Sequence, residues 1–194
     1  TSAFIQLLSS TCKGDSIQFK IMAHDFYTAL KGSVPKYLND SDYVNTTLWM
    51  RDKLSDIEHI AYKKAFESNQ IEKFISSQRW NGIRDSSTLI YYEKLKSNAN
   101  QQPKHSKAKI KYVLKRLNGQ VIYYTKNDEP FIFDISDDGV IGGIRFLASK
   151  LSKGESLRAI VPSDLAYGAS GNYVISGYTP VIIEMELLEY VSQE

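Results

Sequence analysis

The chain has 194 residues, room for one domain of ordinary size or two small ones. Its 24 Lys and Arg stand against 22 Asp and Glu, a balance that makes no electrostatic case for nucleic acid or an anionic membrane surface. Thirteen Tyr and eight Phe can fill a core, while the longest apolar runs, 157–162 and 181–188, carry charges and fall far short of a membrane span.

The first residues, Thr1-Ser2-Ala3-Phe4, lack an initiator Met and a signal-peptide pattern, as in a processed or truncated product. Residues 3–11 have the spacing of a short amphipathic helix, Lys13-Gly14-Asp15 turns the chain, and 16–23 alternate as a strand. Cys12 is alone, so no internal disulfide is possible, and with no basic cluster to activate it a quiet buried thiol is expected. His24, His59 and His105 are scattered, and no metal or other cofactor is expected. After an irregular stretch containing Gly32 and Pro35, residues 43–50 have strand propensity. Ser55-Asp56-Ile57-Glu58 has capping-box spacing and opens a helix that either breaks or continues at Ser68-Asn69-Gln70.

Residues 81–87 are turn-like, 87–95 form a strand, and 97–106 are polar enough for a surface loop. Asn118-Gly119 between two alternating runs (108–117 and 120–125) is a strong hairpin signal. Residues 130–135 alternate as another strand, 139–151 are apolar at helical spacing up to Lys153-Gly154, and a strand from 156 stops at Pro162. A loop over 168–178 and a last strand over 181–191 complete the chain.

Two segments are alike at an offset of 140 residues. Lys13-Gly14-Asp15-Ser16-Ile17 matches Lys153-Gly154-Glu155-Ser156-Leu157, and Phe4, Leu7, Ile21 and Tyr27 match Ile144, Leu147, Val161 and Tyr167. The strand at 44–50 then matches 181–187 at an offset of 137. A period this long indicates a duplicated module rather than a solenoid.

The second copy resembles the FKBP-type peptidyl-prolyl cis-trans isomerases over about residues 87–192. The likeness is carried by Gly139-Val140-Ile141-Gly142-Gly143, Lys153-Gly154-Glu155, Ala166-Tyr167-Gly168-Ala169 and Glu184-Met185-Glu186-Leu187-Leu188. It implies an α+β fold, a five- or six-stranded antiparallel sheet wrapped around one short helix. Residues 1–54 then resemble the back half of a second, degenerate FKBP-like module, 55–86 a linking helix, and 87–194 the FKBP-like domain. Two-module members of this kind imply placement in the bacterial cell envelope, periplasmic or attached to the outer membrane.

The resemblance also implies an activity, rotation about Xaa-Pro amides in unfolded or exported polypeptides, and a pocket for the proline ring. Carried over by position, the pocket falls on Tyr112, Phe131, Val140, Ile141 and Tyr167. Tyr112 and Phe131 would wall the ring; the Ile141 N–H and the Tyr167 hydroxyl would bind the peptide's carbonyls. Several positions depart from the family. Ile122-Tyr123 replaces an aromatic followed by an acid, Ile144 replaces the floor Trp, and Ile183 replaces a late-strand Phe. The loop after Tyr167 lacks the usual proline pair and offers Tyr173 and Tyr178 as other walls. A non-catalytic module that binds such segments as a chaperone or scaffold is the alternative reading.

Overall fold

The computed structural model describes residues 8, 10–30, 32–98, 107–126 and 128–191. The chain divides into two compact units, Thr1–His59 and Ile60–Glu194. The helix expected over 3–11 and the loop over 97–106 lie almost wholly outside the described residues.

In the first unit, β1 (Ser16–Met22) pairs antiparallel with β2 (Tyr43–Trp49). Alternation puts Ile17, Phe19 and Ile21 on a half-buried face and leaves the residues between them exposed. The expected strand stops one residue early. Ala23 instead begins a helix, α1 (Ala23–Ala29), and its N–H donates to the Asp42 carbonyl at 2.7 Å. Cys12 is not the buried thiol expected but exposed. It sits in the turn before β1, where its N–H donates to the Asp15 carboxylate at 2.7 Å.

The capping box forms as expected. Glu58 Oε2 accepts the Ser55 N–H at 2.8 Å, and the Ser55 hydroxyl accepts the Glu58 N–H at 3.3 Å. From it α2 (Asp56–Ser77) runs without a break through Ser68-Asn69-Gln70.

Among the described residues the second unit holds seven strands rather than five or six. They are β3 (Ile83–Arg84), β4 (Tyr91–Lys96), β5 (Lys107–Arg116), β6 (Val121–Tyr124), β7 (Phe131–Asp134), β8 (Ser156–Val161) and β9 (Val181–Val191). Their order is β3-β4-β8-β9-β5-β6, with β7 beside β6 on the same edge of β5, and every pairing is antiparallel. Two residues of the turn-like stretch, Ile83 and Arg84, add the extra edge strand. The strand expected from residue 87 starts only at Tyr91. Asp85 Oδ1 holds the N–H groups of Ser87 and Thr88 in a turn, and Leu89 takes a positive φ of 58°.

The short helix α3 (Gly142–Ser149) lies on one face of this sheet. Ile144, Leu147 and Ala148 bury there against Ile110, Leu157, Ile183 and Leu187. A Cβ on Gly143 would stand 2.5 Å from a Val161 methyl, so this glycine lets the helix lie close to β8. Alternate residues of β8 and β9, Ile160 and Ile182, face the other way and bury against Ile71 of α2, with Phe74, Trp80, Tyr91 and Leu117 around them. Each such buried aliphatic side chain stabilises by about 1.5–3 kcal/mol relative to exposure.

The matching segments have the same backbone bonding. Gly14 donates to Met50 at 2.8 Å, and Gly154 donates to Leu187 at 2.7 Å. Met50 donates back to Asp15 at 2.8 Å, as Leu187 does to Glu155 at 3.0 Å. The side chain of each acid accepts the N–H three residues before it at 2.7 Å, from Cys12 to Asp15 and from Ser152 to Glu155. Ile21 pairs with Val44 as Val161 pairs with Val181.

Candidate functional site

One aromatic cluster gathers residues that are distant in sequence. Tyr112 comes from the middle of β5, Phe131 opens β7, and Tyr123 lies on β6; β6 and β7 share one edge of β5, which brings the three together. The Tyr112 ring is 5.9 Å from Phe131 at 60° and 5.2 Å from Tyr123 at 34°. Phe133 stacks behind Phe131 at 5.2 Å. The tilted Tyr112 pairs suit aromatic quadrupoles.

Burial pushes the Tyr112 hydroxyl pKa far above the ordinary tyrosine value, and the neighbouring Tyr123 and Tyr167 phenols add to the rise. Burial also raises that of Tyr167. Both phenols are therefore neutral at pH 7 and able to donate hydrogen bonds.

Below the rings, Ile144 and Ile183 are buried. Val140, Ile141, Ile122, Phe131 and Tyr167 pack against the same core from partly buried positions. Ile141 is the N-cap of α3 (φ −51°, ψ 134°), so its N–H precedes the helical ladder and has no acceptor within it.

Tyr173 and Tyr178 are not brought to this cluster. The Tyr173 side chain is fully exposed. Tyr178, held at φ 55°, lies within electrostatic reach of Lys64, whose pKa is raised chiefly by its hydrogen bond to Asp164. The residue that enters the core from this loop is Ile175, 0 % exposed, which the sequence reading passed over. Asn172 sets it there by accepting the N–H groups of Val174 and Ile175 at 2.9 and 2.7 Å. An Asn two and three residues before an apolar pair was the available signal. Gly171 and Gly177 let the loop close on itself, since a Cβ on either would meet backbone at 2.2 or 1.8 Å.

A cavity of about 750 Å³ lies elsewhere. Leu95, Lys111, Val113, Val121, Tyr124 and Glu184 line it, and of the expected site residues it touches Tyr112. Lys111 and Val113 alternate with Tyr112 and Leu114 along β5, so it opens on the face turned away from α3. Among the described residues no group of His, Cys, Asp and Glu is placed to hold a metal ion.

A family model described as FKBP-type peptidyl-prolyl cis-trans isomerase matches residues 99–188. Residues 99–188 thus match an FKBP-type domain. Among similar curated proteins, FK506-binding protein 4 of Emericella nidulans is 34% identical over 80 residues, covering 41% of this chain and 17% of that protein. The FKBP-type peptidyl-prolyl cis-trans isomerase FkpA of Buchnera aphidicola is 24% identical over 163 residues, 80% of this chain and 63% of its own. FkpA of Escherichia coli is 29% identical over 121 residues, 61% of this chain and 43% of its own. The chain thus spans less than two thirds of each of these relatives. Two solved structures share the fold. FkpA from Escherichia coli has a TM-score of 0.55 at 24% identity, covering 72% of this chain and 74% of that one. A peptidyl-prolyl cis-trans isomerase from Pseudomonas syringae has a TM-score of 0.54 at 22% identity, covering 73% and 99%. The sheet wrapped around α3 is the FKBP-like architecture, and Tyr112 and Phe131 pack against the core that the sheet and α3 share.

Proposed function

We propose that the FKBP-type domain catalyses cis-trans isomerisation of Xaa-Pro bonds in polypeptides. The observation that carries this reading is the tilted Tyr112–Phe131 pair beside Tyr167, above the Ile144 and Ile183 floor. Rotation about the amide must cross a barrier of about 18–20 kcal/mol, because resonance is lost as the bond twists. No nucleophile or acid–base pair is required. An apolar aromatic wall favours the twisted amide, which is less polar than the planar one, and the Ile141 N–H and Tyr167 hydroxyl hold the flanking carbonyls.

Exchange NMR on a short Xaa-Pro peptide tests this directly. Acceleration at micromolar protein is the expected result, and its absence would refute the enzyme. A binding module without catalysis is the second reading. Tyr123 favours it, standing where the family has an acid, as does Ile144 standing for Trp. Binding without acceleration in the same spectra would select it. Catalysis gained in a Tyr123→Asp, Ile144→Trp double variant would trace the loss to those two positions.

The resemblance and the FkpA relatives support clients among exported proteins and a place in the cell envelope. Recovery of the protein in the cytosol on cell fractionation would overturn that placement. Among the described residues no helix is long and apolar enough to cross a membrane. Residues 1–54 hold the back half of a second FKBP-like module on this reading, with 55–86 connecting it to 87–194. The shared bonding of Gly14 with Met50 and Gly154 with Leu187 supports the duplication.

A further inference from the structure

Behind the Tyr167 loop lies a carboxyl group that the aromatic cluster does not use. Glu67, on α2, is 6 % exposed. A buried carboxyl is costly unless its oxygens find donors, and both of these are met by one residue. Oε1 accepts the Ser163 N–H at 2.5 Å, and Oε2 accepts the Ser163 hydroxyl at 2.8 Å. Ser163 is 1 % exposed and opens the 3-10 turn Ser163–Leu165. An N–H at the head of such a turn has no acceptor within it, and Pro162 before it supplies no side-chain cap. Glu67 caps the turn from a separate element 96 residues away.

The other side of Ser163 holds the site loop. Its carbonyl accepts two N–H groups, from Ala166 at 2.9 Å and Gly168 at 2.8 Å, the residues that flank Tyr167. The Gly168 carbonyl in turn accepts the Tyr178 N–H at 3.0 Å. One turn earlier on α2, Lys64 pairs with Asp164 at 2.6 Å, so two residues on one helix face grip two consecutive residues of the turn. That ion pair is half-exposed and screened, which leaves the buried Glu67–Ser163 contact as the stronger hold.

We propose that Glu67 is a positioning residue for Tyr167, holding the peptide-binding tyrosine in place through the two faces of Ser163. The inference rests on the reading that Tyr167 meets the bound peptide. It adds a helix remote from the aromatic cluster to what the site depends on. A catalytic hydroxyl displaced by about 1 Å can cost up to 10²-fold in rate, so a loop anchored this way matters to turnover as well as to stability.

The test uses amide shifts and hydrogen exchange of Ala166, Tyr167 and Gly168 in the full chain, alongside exchange NMR on an Xaa-Pro peptide. Ile71→Ala, on the same helix and buried against the sheet, serves as the control for destabilisation alone. Glu67→Ala is expected to move those three amides more than Ile71→Ala does, to raise their exchange about tenfold, and to lower kcat/KM about tenfold. Glu67→Gln keeps an acceptor for the Ser163 N–H and an amide for its hydroxyl, and should recover at least half of the loss. If Glu67→Ala does not fold, Ser163→Ala, which keeps the N–H donor, should show the same local change at about half the size. Amide changes no larger at 166–168 than in Ile71→Ala would overturn the proposal, as would failure of Glu67→Gln to recover them. Should the unaltered protein show no isomerisation, the enzyme reading fails, while the amide measurements still decide the positioning role.

Discussion

The strand pair that follows Gly14 and the strand pair that follows Gly154 have the same leading turn, the same register and the same acid-to-N–H bond, yet opposite fates. Asp15 is exposed, whereas the Glu155 side chain is 4 % exposed and is held by the Lys94 ammonium, the Asn98 N–H and the Ser152 N–H. Ile17 and Ile21 are half-buried; Leu157 and Val161, their counterparts, are fully enclosed. What separates the copies is their neighbours. In the second unit β4 lies against β8, β5 lies against β9, and α3 covers the face between them. Among the described residues β1 and β2 pair only with each other. A two-stranded hairpin is marginal without further strands or a covering helix. The geometry of such a strand pair is thus local, and its stability is not.

Paired substitutions can break this comparison. Leu157→Ala should cost about 2–5 kcal/mol in urea unfolding of the second unit. Ile17→Ala should cost about 1 kcal/mol, read by hydrogen exchange of β1, because less surface is withdrawn from water. Equal costs would show that β1 is covered as fully as β8.

Removing the acid comes next. Glu155→Ala is expected to lose about 2–3 kcal/mol at pH 7, against well under about 1 kcal/mol for Asp15→Ala. The effect has a pH signature. Burial alone would raise the Glu155 pKa, but the Asn98 N–H, the Lys94 ammonium and the Ser152 N–H outweigh it and hold it below the ordinary glutamate value of 4.5. A group whose folded pKa is depressed stabilises above its unfolded pKa and stops doing so as pH falls through the folded one. The difference between Glu155 and its alanine variant should therefore be full above about pH 5 and shrink below 4.5. A flat difference down to pH 3 would contradict it.

For function, Phe131→Ala should lower kcat/KM on an Xaa-Pro peptide about tenfold, equivalent to about 1.4 kcal/mol, while Phe19→Ala in the first unit should leave it unchanged. A loss from Phe19→Ala would place part of the site outside the FKBP-type domain.

The smallest effect should be the same in both copies. Gly14 and Gly154 have φ of 92° and 76°, with nothing within 4 Å of a Cβ built on either. Alanine there costs only backbone strain, about 1–2 kcal/mol at each. Unequal costs would mean that the turns are not local after all.

Much of the fold was legible because its signals are short-range. Asn118-Gly119, Ser55 with Glu58, Lys-Gly-acid and the alternating runs of β5, β8 and β9 all act within a few residues. The elements that escaped were set from farther away. Ala23 reads as the end of a strand until the Asp42 and Asp40 carbonyls take the N–H groups of Ala23 and His24 and a helix begins there. Ile83 and Arg84 are a strand only because Tyr91 and Tyr92 lie beside them. In the candidate site, Tyr112, Phe131, Val140, Ile141 and Tyr167 came from positions matched to a family pattern, and the structure gathers them. Tyr173 and Tyr178 were chosen as aromatics in the right loop. Asn172 turns Ile175 inward instead, through bonds to N–H groups two and three residues on, and side-chain direction in a loop follows such hydrogen bonds rather than residue type.

From the amino-acid sequence alone come the strands of the two copies, their glycine turns, the Ser55–Glu58 helix cap and the FKBP-like pattern, since steric and hydrogen-bond preferences between near neighbours set them. Only the tertiary structure decides which copy is enclosed, that Ile175 fills the core, and that Glu67 holds the loop of Tyr167. Those depend on surfaces meeting across 61 residues for Lys94 and Glu155 and 96 for Glu67 and Ser163, distances at which no local preference acts.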